Sequence, residues 1–382
     1  MKASKMLRVL ATVLCFCMVF TACGGSTTPA SSTPASSEAP APSSESTTGA
    51  LDLNALTLDQ IIEGAKKEGK LESVGMPGSW ANWQDTWDAL EKDYGLDHND
   101  TDMSSAEELN MFETEKNAPT KDIGDVGHAF GPQAIEMGVV QSYKTSYWDS
   151  VPDWAKDKDG LWMMAYTGVT SFITNTDLVK NPPKSWADVK AGDYKMTIGD
   201  VVTGATGQGV VLATAYAFGG GMDNLDPAFE FWAEMAEKGR IDQGDILLQR
   251  IQAGEVQCGV TWSFNVFSYR DKTPNYKFDI CVPSDGAIMS GYASVINKYA
   301  PHPHAAALAR EYIFSDAGQA NLAKAGGIPT RTDVTIPAEI EAATFSKDMY
   351  KDAHPVTDPE AYNKVREEIA RRWQEEIIPL MS

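Results

Sequence analysis

Between residues 24 and 50 the chain reads GGSTTPASSTPASSEAPAPSSESTTGA, a run with no side chain able to build a core. Small polar residues and proline bury too little apolar area to offset the entropy of ordering them. The run reads as a tether, about 30 Å in root-mean-square length when flexible. The fold has to come from residues 51 to 382. That length exceeds what a single core usually holds, so two lobes are expected.

The residues before the tether say what it hangs from. Lys2, Lys5 and Arg8 precede an apolar run from Val9 to Phe20, and small residues then lead to Cys23. A charged start, an apolar stretch short of the ~20 residues of a spanning helix and a small-residue cleavage site form the order of a secretory signal. The ending Phe20-Thr21-Ala22-Cys23 resembles a bacterial lipobox. It implies a signal peptide over 1–22, lipidation of Cys23 and an anchored tether over 23–54. Two acyl chains on one cysteine anchor stably where a single chain binds marginally. The expected location is extracytoplasmic, attached to the cell membrane.

Charge narrows the partners. The chain carries 53 acidic and 32 basic residues, a net charge of −21. Such a surface argues against nucleic acid and against anionic lipid head groups. Of five cysteines, Cys15 and Cys17 leave with the leader and Cys23 takes lipid. Cys258 and Cys281 lie in the strand-like runs VQCGVTW and FDICVP. An exported protein is free to join them; two separate buried thiols is the preferred reading. Neither has metal-ligand spacing, and no cofactor or metal is expected. The five histidines are scattered, and His302 and His304 fall in a proline-rich turn.

Helix and strand alternate along the rest. Leu56, Ile61, Ile62 and Ala65 make one helical stripe, stopped by Gly69. LESVGM (71–76) reads as a strand, residues 83–92 as a helix and DIGDVGHAF (122–130) as a strand. LWMMAYTGVTSFITN (161–175) is a β-rich run long enough to leave one lobe and enter another. KMTIGD (195–200) is a short buried strand, followed by the glycine-rich loop TGATGQG and an apolar helix. Asp226-Pro227 opens a helix that Gly239 ends. The alternation predicts α/β layers with mainly parallel sheets flanked by helices.

Residues 290–331, SGYASVINKYAPHPHAAALAREYIFSDAGQANLAKAGGIPTR, resemble a recurring segment of bacterial extracellular solute-binding proteins. It pairs a strand with Ser290-Gly291-Tyr292, a Pro301-His302-Pro303 turn, an alanine-rich helix and Ser315-Asp316-Ala317-Gly318-Gln319. EGAKKEGKL (63–71) and KSWADVKAGDYK (184–195) are similar to the same family. The resemblance implies a two-lobed type II periplasmic-binding-protein fold with the ligand in a cleft between the lobes. It implies lobe 1 over 55–168 and 286–345, lobe 2 over 169–285, and a C-terminal helical segment over 346–382. It also implies a monomer that binds a small-molecule solute and works with the permease and ATPase subunits of an ABC importer.

Catalytic signatures are absent from the sequence: no Gly-x-Ser-x-Gly elbow, no His-Glu-x-x-His and no P-loop. The protein is therefore expected to bind, not to catalyse. In open α/β sheets, ligands sit beyond the carboxyl ends of strands. The loops at such places nominate Trp80, Ser105, Phe130, Asp200, Thr206, Gln208, Trp262, Asn265 and Tyr292, with Tyr166 at the crossover. Gly204 and Gly207 would let backbone N–H groups face a ligand. Each has a plainer alternative: Thr206 as a cap, Tyr166 as hinge filler. Ferric-ion binders of the family carry adjacent tyrosines where this chain has Trp262-Ser263-Phe264-Asn265, so hard Fe³⁺ lacks its anionic oxygens. The places of Trp262, Trp80 and Asp200 resemble polyamine binders better, and aromatic faces with carboxylates suit an ammonium chain. A carboxylate that polyamine binders carry is replaced here by Ser290-Gly291-Tyr292. The expected solute is polyamine-like or another organic amine; a phosphonate or organophosphate, or a ferric ion, is the alternative within the family. A surface enzyme or a ligand-sensing subunit is the alternative outside it.

Overall fold

The computed structural model describes residues 51–381; the expected signal peptide, Cys23 and the run to residue 50 lie outside the described residues. The strands, in chain order, are β1 (Lys70–Val74), β2 (Asp97–Thr101), β3 (Ile123–Gly127), β4 (Val140–Gln141), β5 (Trp162–Asn175), β6 (Met196–Thr197), β7 (Ile241–Asp242), β8 (Cys258–Trp262), β9 (Phe278–Cys281), β10 (Ile288–Asn297), β11 (Ile328–Pro329) and β12 (His354–Pro355). Helices separate most of them. The first, Leu58–Glu68, is set by a Thr57–Gln60 capping box and closed by Gly69 at φ 66°, a conformation that glycine takes without steric penalty. Ordered packing begins before it, because Leu53 is buried and the Asn54 side chain donates to Ser142.

Strand β5 joins two sheets. Every one of its 14 residues is buried, and at ~3.3 Å per residue it runs about 45 Å. Its first half pairs with β10, from Trp162↔Val295 to Val169↔Met289. Its second half pairs with β8 on one edge and β9 on the other. The first sheet is ordered β2-β1-β3-β10-β5 and the second continues β5-β8-β6-β7. The outer strands run parallel, as alternation predicts. Strands β5 and β10 pair antiparallel with their neighbours, so the sheets are mixed. These two strands carry the chain out of the first sheet and back.

Three stretches read as loops are helices from their first residues. Ala205–Ala217 starts inside the glycine-rich run, Ser263–Asp271 starts directly after β8, and Phe130–Met137 starts three residues after β3. Glycine permits the first: a Cβ on Gly204 would lie 2.6 Å from the Asp200 carbonyl oxygen. Cys258 and Cys281 sit on strands flanking opposite edges of β5, two strand spacings (~9.5 Å) apart. That exceeds the Cα separation of a disulfide, and both thiols are free.

The C-terminal segment runs across both sheets. Strand β12 adds to β10. In the helix Pro359–Arg372, the Arg366 guanidinium lies 3.7 Å from the Phe130 ring centroid on the first-sheet side. Beyond it, Arg372 pairs with Asp226 at 2.9 Å and Trp373 packs edge-on against Trp232, both on the second-sheet side. His302 and His304 are structural: their Nδ1 atoms meet Asp122 (2.9 Å) and Glu68 (2.6 Å).

One buried cation ties the first sheet to its surroundings. Arg310 is fully buried, and burial pushes its pKa down to about 9. Its guanidinium donates to the carbonyls of Tyr143 and Gly160 (3.1 Å each) and of Ser294 (2.8 Å). Arg310→Met removes all three charge-assisted bonds at once; the Gly160 carbonyl keeps the Tyr143 N–H (3.1 Å). It should lower the unfolding free energy by about 3 kcal/mol, read as a lower denaturant midpoint at unchanged slope. An unchanged midpoint would show that the carbonyls find other partners.

Candidate functional site

A cavity of about 310 Å³ opens between the two sheets, at the carboxyl ends of the strands. On the first-sheet side it meets Trp80 after β1, Asp102 after β2, and Asp125 within β3. Ser105, Glu107 and Glu108 come from the helix Ser105–Thr114, whose start is fixed by a Ser104–Glu107 capping box. On the second-sheet side it meets Asp200 and Thr206 after β6, and Asp245 after β7. Tyr269 and Tyr292 complete the wall. The sheets close tightly here: a Cβ on Gly127 of β3 would lie 2.4 Å from the Cβ of Ala205.

Five of the residues nominated from the sequence line this cavity: Trp80, Ser105, Asp200, Thr206 and Tyr292. The Ser105 hydroxyl accepts from the Gly127 N–H at 3.0 Å and so ties the helix to β3. Thr206 Oγ1 accepts from Trp262 Nε1 (3.2 Å) and meets Tyr292 Oη at 2.9 Å. Trp262 therefore stands behind Thr206, away from the cavity wall, because β8 passes straight into a helix. Tyr166 also stands one layer back; its hydroxyl donates to Asp125 Oδ2 (2.6 Å) and accepts from Trp80 Nε1 (3.4 Å). Gln208 is buried in its helix and donates to the Val202 carbonyl. Asn265 is buried and accepts from the Ala81 N–H. Phe130 is core, covered by Arg366. The sequence reading missed Asp102, Glu107, Glu108, Asp125, Asp245 and Tyr269. Asp125 had a legible signal: a carboxylate inside an otherwise apolar and glycine strand.

Residues 118–370, about two-thirds of the chain, match the family model described as bacterial extracellular solute-binding protein. No curated protein matches the sequence. The periplasmic binding protein AfuA from Actinobacillus pleuropneumoniae, solved with fructose-6-phosphate bound, superposes with a TM-score of 0.64 at 19% identity, covering 80% of this chain and 98% of that one. A periplasmic thiamin binding protein gives 0.61 at 17% identity, covering 81% and 96%. The apo ferric ion-binding protein A of Pasteurella haemolytica gives 0.60 at 13% identity, covering 82% and 99%. At such identities these likenesses show the fold, which is that of type II periplasmic binding proteins.

Among the described residues, six carboxyl groups line the cavity, at Asp102, Glu107, Glu108, Asp125, Asp200 and Asp245, and no lysine, arginine or histidine does. Glu108 is buried with Oε2 accepting the Asp125 N–H at 3.2 Å. Gly75 and Gly124 make room for it; a Cβ on either would lie 2.2 and 2.6 Å from its carboxylate oxygens. Burial raises the Glu108 pKa well above the usual range, and neighbouring Asp125 raises it further. Burial pushes Asp125 up to about 8, despite the Tyr166 hydroxyl that favours its charged form. Burial, then Asp100, Asp245 and Glu107, push Asp102 up to about 6. Carboxyl groups at this depth therefore keep protons where no counter-ion pairs them.

Those protons make stability depend on pH. Asp102 and Asp125 have folded pKa values above their unfolded value, so the native state binds more protons than the unfolded one, and stability falls as pH rises towards 8. His98 and His128, both held near 4 by burial, act in the opposite sense below their unfolded value of 6.5. The clean window is pH 6.5 to 8. Across it the ligand-free protein should lose on the order of 1 kcal/mol from Asp125 alone. Denaturant midpoints at the two pH values measure the loss, and Asp125→Asn should flatten the difference. A midpoint that rises with pH would contradict the assignment.

Proposed function

Because this chain belongs to the bacterial extracellular solute-binding proteins, we propose that it captures a small organic cation, of the polyamine or simpler amine class, and presents it to an ABC importer. Members of that family are binding proteins, not enzymes, and they work with a permease and an ATPase. Among the described residues no helix is long and apolar enough to cross a membrane. In the proposed arrangement the protein is a monomer, anchored through lipid on Cys23 and a tether that ends before the packed Leu53. Lobe 1 (55–168 and 286–345) and lobe 2 (169–285) grip the solute between them, and 346–382 braces the back.

One observation carries the choice of cation: six carboxyl groups face one cavity with no basic side chain among its lining. An added negative charge 4 Å from one carboxylate costs about 4 kcal/mol at an effective dielectric of 20. A cation at the same distance gains about as much, and it draws protons off the raised carboxyls. Trp80 and Tyr292, packed edge to face with centroids 5.4 Å apart, form one aromatic wall suited to ammonium or its methylene chain. Ferric ion fits less well, because burial raises the phenols of Tyr269 and Tyr292 and so withholds phenolate ligands. A phosphonate or organophosphate is the second reading. It rests on the first turn of the helix Ala205–Ala217, whose N–H groups have no intrahelical partner and open on the same cavity.

A thermal-shift panel separates these readings: putrescine, spermidine, thiamin, methylphosphonate, fructose-6-phosphate and ferric citrate. A solute present at 100 times its Kd adds about 2.7 kcal/mol to stability. Amines should raise the melting temperature and the anions should not. Asp102→Asn and Asp245→Asn should each weaken amine binding about tenfold, the loss of one charge-assisted contact. A response to phosphonate with none to amines would reverse the assignment.

A further inference from the structure

The structure assigns to Asn265 a positioning role: its side chain, reaching from beyond β8 of the second sheet, holds the turn that presents Trp80 to the cavity. The turn after β1 contains two successive non-glycine residues in the left-handed region, Ala81 at φ 46° and Asn82 at φ 59°. Side chains with a Cβ rarely take that conformation, and two in a row need an outside hold. Among the described residues no other non-glycine residue has a positive φ.

Two contacts supply the hold. Asn265 Oδ1 accepts the Ala81 N–H at 3.1 Å, with Asn265 and Ala81 both fully buried. Asn82 Nδ2 donates to the Asn321 carbonyl at 3.0 Å. The Ala81 N–H can only donate, so the acceptor end of the Asn265 amide is the end that faces it. Asn265 Nδ2 is buried and has no hydrogen-bond partner. Its one hydrogen bond is therefore the one to the turn, and the unpaired amide is a cost that packing alone would not retain. With the turn held, the Trp80 ring stands edge-on to Tyr292 (5.4 Å) and Phe264 (5.6 Å), and its Nε1 reaches Tyr166 Oη. Asn265 thus acts on the solute through Trp80, and it links the second sheet to a residue of the first-sheet wall. The site occupant concerned is the one proposed above, but the hold itself does not depend on what that occupant is.

The test uses the folded chain without solute. The fluorescence contributed by Trp80 is taken as wild type minus Trp80→Phe, and exchange of the Ala81 amide is followed in parallel. Asn265→Leu keeps the volume and removes both the acceptor and the unpaired donor. It should speed Ala81 amide exchange roughly tenfold, shift the Trp80 emission to the red and expose it to acrylamide. Adding Ala81→Gly, which takes the left-handed turn without a hold, should restore the Trp80 emission. Asn265→Ala serves in place of Asn265→Leu should leucine not fold, with the same expectations. Unchanged Ala81 exchange and unchanged Trp80 emission would overturn the role, as would failure of the glycine to restore it. A separate arm measures putrescine affinity: Asn265→Leu should weaken it about fivefold in wild type and not at all in Trp80→Phe. No putrescine binding in wild type would count against the amine reading and leave the fluorescence and exchange arms to decide the role of Asn265.

Discussion

Two sheets share one strand, and every residue of that strand is buried. This constraint sets the rest. A 14-residue buried strand has no polar face to give to solvent, so both of its halves must be paired on both edges. β10 and β11 cover the first half, and β8 and β9 cover the second. The sheets diverge from β5, and the gap between their strand ends becomes the cavity. Close packing at the shared strand is visible in Gly168, where a Cβ would lie 2.4 Å from the Phe264 ring. Phe264 in turn packs edge-on against Tyr166 at 4.9 Å and lies 5.6 Å from Trp80. The joint between the sheets and the aromatic wall of the cavity are one continuous packing unit.

The same joint explains the chemistry of the floor. Tyr166 lies in β5, and its hydroxyl fixes Asp125 of β3. Glu108 is fixed against the Asp125 backbone in a space that two glycines leave open. Two neighbouring buried carboxyl groups cannot both be charged without a cation. The fold tolerates them because each can hold a proton, and the pKa directions of both say that it does. Packing alone gives no reason to place carboxyl groups at this depth; on the proposed reading, an occupant with positive charge does.

The sequence exposed the architecture more fully than the site. The long run 161–175 was legible as a strand crossing between lobes because nothing interrupts its β-forming residues. Whereas Tyr292 lies in the middle of β10, the positions of Trp80, Asp200 and Thr206 past strand ends were legible because ligands in α/β folds gather there. Trp262 was not, since whether a side chain at a strand end faces the cleft or the layer behind it depends on register and on how soon the next helix starts. Here Trp262 pairs with Thr170 and the helix begins at the next residue. The carboxylates were hidden by their number. With 53 acidic residues in the chain, Asp102 and Asp245 look like any solvated side chain until the fold brings them to one space. Asn265 was nominated from its loop-like surroundings; the structure turns it towards the backbone of Ala81.

On the proposed reading, closure follows from where the charges stand. Asp102 and Glu107 belong to the first-sheet side, and Asp200 and Asp245 to the second. Without a cation, bringing the sides together crowds like charges; the Asp102 pKa is raised first by burial, then by Asp100, and only then by Asp245 across the gap. A cation between them converts the repulsion into two attractions that exist only when the sides are together. Moving a population from 1:99 to 99:1 requires about 5.5 kcal/mol of differential affinity. Two charge-assisted contacts at ~1.5–3 kcal/mol each span that requirement. A neutral solute leaves the repulsion in place, and an anion adds to it, so neither has the differential interaction that shifts such an equilibrium.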